Sequence, residues 1–188
     1  RLRPAQVVRL AVEQGVSVLA ITDHDSFEGV EEAMREAQTF HGLLIIPGVE
    51  ISSDASDNEV HVLGYCFNHR DRELTNKLKE LRWGRIERAR KMVAKLGDMG
   101  VHVDWERVQE LADGGAVGRP HVAQAMIERG HVVSLGEAFD RYIGRNGPAY
   151  IEREKITPDE AVRLIVRSGG FALLAHPGTL GDTYLVRL

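Results

Sequence analysis

The run Ile21-Thr22-Asp23-His24-Asp25 closes an apolar segment, Val16 to Ile21, with three ionisable residues in succession. Two further apolar segments end in the same manner: Leu43 to Val49 leads into Glu50, and Phe171 to Ala175 leads into His176. Parallel α/β folds place their chemistry at the C-terminal ends of strands, so three such ends read as one site. His61, near the start of another apolar segment, extends the set. Asp23, His24, Asp25, Glu50, His61 and His176 combine imidazoles and carboxylates without a thiolate, a mixture that suits Zn, Mn or Fe; a bridging carboxylate suits more than one ion. Paired metals lower the pKa of an attacking water and stabilise both oxygens of a phosphoryl displacement, which makes phosphate ester hydrolysis the natural reaction class. The sequence has no Walker-type loop and no Gly-x-Ser-x-Gly elbow, and Cys66 makes a weak nucleophile candidate. Asp23 has a plainer alternative as a cap of the following helix, and Asp25 and Ser26 read as caps outside the metal set.

The elements that must position these residues alternate at first. A helix over Pro4 to Gln14 starts at proline and stops at Gly15; strand Val16 to Ile21 follows, then a helix from Phe27 to Phe40 and strand Leu43 to Ile46. That alternation is what a parallel sheet requires. Val49 to Ser53 and Val60 to Phe67 flank a polar, turn-rich stretch, Asp54 to Asn58, and predict a hairpin with His61 on its return strand. A weak repeat links the two ends of the chain: the residues from Pro4 to Val12 match Pro158 to Val166, and each copy is followed by glycine, an apolar strand and a histidine. The second copy has a capping box, Thr157 with Glu160. The repeat places His24 and His176 at equivalent strand ends of one sheet.

Between these units the periodicity turns helical. Apolar positions from Leu74 to Leu96 predict one long amphipathic helix ending near Gly97 or Gly100, with shorter helices over Trp105 to Ala112, Pro120 to Arg129 and Leu135 to Ile143. The expected organisation is therefore an α/β domain over 1–67 and 152–188 with an all-helical cap inserted over 68–151. Within the cap, Arg119 and His121 open a helix after two glycines and form a candidate phosphate clamp, against the plainer readings of a cap ion pair for Arg119 and a helix-surface residue for His121. Arg145 and Tyr150 offer a second anion contact and a stacking surface. Arg82, Arg85, Arg88 and Arg90 read as a solvated basic face of the long helix. His41, His69, His102 and His131 lack any strand-end context and read as surface or loop residues.

The bulk properties agree with a compact enzyme. The chain has 188 residues, 43% of them hydrophobic, enough for a sizeable core. Its 24 basic and 28 acidic residues give a net charge of −4, so nothing calls for a polyanionic surface or an anionic membrane. One cysteine, no run of 18 apolar residues and no signal segment point to the cytoplasm, with no membrane association and no stable protein partner implied. Arg1 in first place and a helix-start pattern at 182–188 give the sequence the look of an excerpt, with strands and ligands expected beyond both ends.

The motifs Ile21-Thr-Asp-His-Asp, Pro47-Gly-Val-Glu-Ile-Ser, His61-Val-Leu-Gly-Tyr, Gly118-Arg-Pro-His and Leu174-Ala-His-Pro-Gly occur in an order that resembles the PHP (polymerase and histidinol phosphatase) family. The helical insertion with Gly118-Arg119-Pro120-His121 is similar to the branch containing nucleoside 3′,5′-bisphosphate phosphatases and 5′-to-3′ exoribonucleases. The resemblance implies a distorted (β/α)₇ barrel holding two or three divalent ions, manganese foremost, with zinc or iron as alternatives. It implies that His24, Glu50, His61 and His176 are metal ligands with Glu50 bridging, and that Asp23 is a ligand or orients one. Asp23, His24 and Glu50 would then form the catalytic group and Arg119 and His121 would bind substrate, a small nucleotide or the 5′ end of a short RNA. The family's opening His-x-His and closing Asp-x-His motifs have no counterpart in these residues. A histidinol-phosphate phosphatase and a non-catalytic PHP module are the alternatives.

Overall fold

The structure is a computed structural model that describes residues 2–55, 58–152 and 156–179. The chain divides into two compact units, Arg1–Lys79 with Lys155–Leu188, and Glu80–Glu154. The expected helix start at 182–188 lies outside the described residues, as do 56 and 57 of the expected hairpin turn.

The first unit is built on a four-stranded sheet in the order β1-β2-β3-β4, formed by Val18–Ile21, Leu44–Ala55, Asn58–Tyr65 and Phe171–Leu174. β1 pairs with β2 in parallel, while β3 runs antiparallel to both β2 and β4. The sheet is thus mixed, yet β1, β2 and β4 share one direction, and their C-terminal ends fall on the same side. Helices α1 (Pro4–Glu13) and α2 (Glu28–Ala37) bury Val8, Val30 and Ala33 against Ile21 and Ile45. Each such burial contributes on the order of 1.5–3 kcal/mol for a Val- or Ile-sized side chain.

The two sequence repeats become the same structural unit. α1 and the helix over Pro158–Arg167 both start at proline, and each is followed by a left-handed glycine, Gly15 (φ 73°) or Gly169 (φ 81°), and a four-residue strand. In the second copy Thr157 Oγ1 accepts from Glu160 N–H at 3.2 Å and Glu160 Oε2 accepts from Thr157 N–H at 2.8 Å, closing the expected capping box.

β2 departs from the expected pair of short strands. It is one strand of 12 residues that changes neighbour part-way: Leu44 to Pro47 pair with β1, and Gly48 to Ala55 pair with β3. Pro47, which has no N–H for a ladder, sits where one partner ends and the other begins. Pairing with β3 continues through Asp54↔Glu59 and Ala55↔Asn58, so residues read as turn are part of the ladder.

The second unit is helical. α3 (Arg72–Asp98) runs into it from the first unit, and α4 (Trp105–Ala112), α5 (Arg119–Glu128) and α6 (Leu135–Ala138) follow, before α7, the Pro158–Arg167 helix, returns to the first. Leu96, Val108, Val122, Met126 and Ile143 are fully buried within the second unit's own core. The helix expected over Leu135 to Ile143 becomes four α-helical residues and a π-helical turn, Phe139–Ile143. Its cause is the five-residue closure from Gly144 N–H to Phe139 O at 2.8 Å; a Cβ on Gly144 would lie 2.4 Å from that oxygen. Arg82 and Arg88, expected on a solvated face, donate to the carbonyls of Gly114 and Ile151, and the Arg88 guanidinium covers the Tyr150 ring. His131 Nε2 lies 2.9 Å from the His102 carbonyl. No helix among the described residues is long and apolar enough to cross a membrane.

Candidate metal centre

The residues following β1 rejoin β2 after a two-residue break. Glu50 N–H donates to Asp23 O at 3.1 Å and Asp25 N–H donates to Glu50 O at 2.9 Å, a parallel bridge that sets His24 directly beside Glu50. The approach is close because Gly48 permits it: a Cβ there would lie 2.7 Å from both Ile21 O and Thr22 Cγ2. His61 is positioned from β3, opposite Ser52 in the register. On β2, Glu50 and Ser52 share a face by the two-residue period, and that face meets His61. The His61 carbonyl accepts from Ala175 N–H at 2.9 Å, which holds the residue before His176 next to His61.

Three imidazoles converge on one carboxylate. Glu50 Oε1 lies 2.8 Å from His61 Nδ1 and 3.1 Å from His176 Nε2, while Oε2 lies 3.8 Å from His24 Nε2. His61 Nδ1 and His176 Nε2 are 3.0 Å apart. His24 and His176 each meet the His61 ring edge to face, at centroid distances of 4.8 and 4.9 Å. Glu50 and His61 are 16% exposed by side chain, whereas His24 and His176 are 41% and 48% exposed, so the group opens to solvent through its outer imidazoles. His176 adopts φ 31°, an uncommon conformation for a residue with a side chain and more so before Pro177. Strain of this kind concentrates at functional sites.

The electrostatics centre on Glu50 and His61. The hydrogen bond from His61, with the charge of His24 in support, holds the Glu50 carboxyl at about 2 in spite of burial. Burial pulls the His61 imidazole down, but its hydrogen bond to Glu50 and the nearby carboxylates of Glu50 and Glu59 outweigh it and push the group up to about 9. His61 Nε2 is buried and has no hydrogen-bond partner among the described residues, with Glu59 Oε1 at 3.6 Å. His24, Glu50 and His61 can each offer one ligand atom with all three atoms within 4.8 Å of one another. Three imidazoles, a shared carboxylate and an unsatisfied buried nitrogen fit a divalent cation of the Mn, Fe or Zn class.

The remaining expected residues are placed as follows. The Asp23 side chain lies over the start of α2, with Oδ2 3.3 Å from where a Cβ on Gly29 would sit, outside the group of three. The N-cap position of α2 is Phe27, without a side-chain bond, and Ser26 Oγ accepts from Glu28 N–H at 3.3 Å. The cap reading of Asp25 is corrected: its carboxylate is buried and accepts from Ser52 N–H at 2.8 Å, because the left-handed backbone at Asp25 (φ 51°) turns it back under β2. Arg119 and His121 belong to the helical unit. The Arg119 guanidinium stacks 5.3 Å from the Phe139 ring, and His121 Nδ1 accepts from Gly118 N–H at 3.0 Å, within the first turn of α5. Ser52, although it closes the Pro47-Gly-Val-Glu-Ile-Ser motif, and Glu59 have no assigned role in the sequence reading; Ser52 stands two residues past Glu50, the spacing that puts strand residues on one face.

Comparison with known proteins places this chain in a family. No family model matches the chain. Over 190 residues it is 34% identical to the 5′-3′ exoribonuclease Rnm of Salmonella typhimurium, covering 100% of this chain and 65% of that protein. Over 190 residues it is 32% identical to the 3′,5′-nucleoside bisphosphate phosphatase of Chromobacterium violaceum, covering 100% of this chain and 66% of that protein. A crystal structure from Bifidobacterium adolescentis, provisionally assigned as a metal-dependent phosphoesterase, superposes with a TM-score of 0.87 at 25% identity, over 100% of this chain and 68% of that one. This chain belongs to the PHP family. The PHP chain spans about two thirds of the length of the curated relatives it matches, and its mixed α/β sheet brings His24, Glu50 and His61 together.

Proposed function

We propose that the protein is a metal-dependent phosphoesterase that removes a phosphate from a nucleoside 3′,5′-bisphosphate or nucleotides from the 5′ end of a short RNA. One observation carries the reading: three imidazoles, two from residues just past β1 and β4 and one from within β3, meet on the single carboxylate of Glu50. His24, His61 and His176 would hold two or three divalent ions, manganese foremost, with Glu50 between them. When bound, such ions supply Lewis acidity and lower the pKa of water. Glu50 suits a bridging role because its two oxygens already face different imidazoles. Asp23 orients the site through the backbone, its carbonyl fixing Glu50 N–H. Arg119 and His121 hold a substrate phosphate, supported by a guanidinium steadied on Phe139 and by the helix N-terminus they share. The matched relatives are named for reactions on RNA and on nucleoside bisphosphates; the same substrate class suits this donor set.

The architecture we propose around it is a distorted (β/α)₇ barrel with the helical unit as its cap, acting in the cytoplasm. Its support is the shared direction of β1, β2 and β4, the helix before each repeat strand, and the exposed apolar side chains of Val18 and Phe171 on the two edge strands.

Elemental analysis after dialysis against metal-free buffer tests the centre directly. Two or more ions per chain, lost together with phosphoesterase activity in His61→Ala while helical content stays unchanged, is the expected result. Full activity in that variant would remove the assignment.

A further inference from the structure

We propose that Ser52, backed by Asp25, is a positioning residue that decides which nitrogen of His24 faces the metal centre. The inference rests on the metal-centre reading but concerns groups that lie beneath it. Ser52 is fully buried, two residues past Glu50 on the same face of β2 and opposite His61 in the ladder. Its hydroxyl lies 3.3 Å from His24 Nδ1, while His24 Nε2 points toward Glu50 Oε2 at 3.8 Å. The Ser52 backbone is held in turn by the Asp25 carboxylate, 1% exposed, through the 2.8 Å bond from Ser52 N–H.

An imidazole ring can turn over and exchange its two nitrogens; whichever nitrogen is engaged by a neighbour fixes the tautomer and the role of the other. Here the engaged nitrogen is Nδ1. With Nδ1–H donating to Ser52 Oγ, Nε2 is left as a lone-pair donor aimed at the side where Glu50 and His61 converge. The arrangement is costly for a fold that needed only packing: it buries a carboxylate and keeps Asp25 in the left-handed region at φ 51°.

The test compares wild type, Ser52→Ala, Ser52→Cys and Ser52→Thr, reading the His24 tautomer by ¹⁵N NMR in metal-free protein and Mn²⁺ affinity by titration. In the wild type the proton should sit on Nδ1. Ser52→Ala and the near-isosteric Ser52→Cys should shift His24 toward the Nε2–H form and weaken Mn²⁺ binding by about 10–100-fold, the usual consequence of losing a group that orients a ligand. Ser52→Thr, which keeps the hydroxyl, should retain both properties. An unchanged tautomer in Ser52→Ala, an Nε2–H form in the wild type, or a threonine variant as impaired as alanine would each overturn the proposal. A wild-type protein that binds no Mn²⁺ would sink the metal-centre reading alone, since the tautomer is read without metal.

Discussion

Glu50 and His61 set the pH behaviour of the site. In the metal-free protein the Glu50 carboxyl is held at about 2, below its ordinary 4.5, so its contribution to stability is present above about pH 4.5 and lost as the pH falls toward 2. His61 is raised to about 9 from 6.5, so its contribution is full below about pH 6.5 and lost as the pH rises through 9. Thermal unfolding of the metal-free protein should therefore show a plateau between about pH 4.5 and 6.5 with a fall on either side; His61→Ala should remove the alkaline fall. Metal and proton compete for the same imidazole, so Mn²⁺ binding at pH 7.5 should release a proton, measured by calorimetry in buffers of different ionisation enthalpy. The proposed phosphate clamp at Arg119 concerns a different contact. Arg119→Ala should raise KM for a nucleoside bisphosphate by about tenfold or more, the scale of one charge-assisted hydrogen bond, and raise it less for a generic phosphomonoester; equal effects in steady-state kinetics would remove the clamp.

Strand β2 does most of the positioning, because one continuous element touches β1 on one side and β3 on the other. Gly48, next to the exchange of partners, has no room for a methyl group against Ile21 O and Thr22 Cγ2. Gly48→Ala should cost about 1–3 kcal/mol, as overpacking does in a well-packed interior, and by spreading β1 from β2 should also weaken Mn²⁺ binding. Urea unfolding gives the first quantity and metal titration the second; an unchanged midpoint would show that the strands tolerate the separation. The parts legible in the sequence were those with local signals, such as the helix starts at Pro4 and Pro158 and the left-handed Gly15 and Gly169 after them. The joined β2 was not legible, since Pro47-Gly48 is ordinarily punctuation; a strand that changes neighbours at that point accommodates a residue without an N–H. The π-turn over Phe139–Ile143 was hidden for a similar reason, because the bond from Gly144 reaches back one residue further than the helical period.

For the molecule as a whole, the candidate centre lies in the unit formed by Arg1–Lys79 and Lys155–Leu188, while both tryptophans, Trp83 and Trp105, belong to the other unit. Metal that binds only the folded state adds stability by mass action, about 2.7 kcal/mol at a hundredfold excess over Kd. Mn²⁺ should raise the unfolding midpoint seen by far-UV circular dichroism, chelator should reverse the rise, and His61→Ala should abolish it. The absence of any shift in the wild type would argue against a preformed centre. The sequence by itself determined the candidate residue types and the placing of His24 and His176 just past strand ends, because apolar runs ending in imidazole are local patterns, and with the ordered motifs it pointed to the family; Glu50 and His61 instead lie inside β2 and β3. It could not determine that Asp25 turns inward to hold Ser52, that Glu59 stands beside His61, or that three imidazoles share one carboxylate. Those facts depend on strand register and on the left-handed turns at Asp25 and His176, and register is fixed only when residues as far apart as 24, 61 and 176 are packed into one sheet.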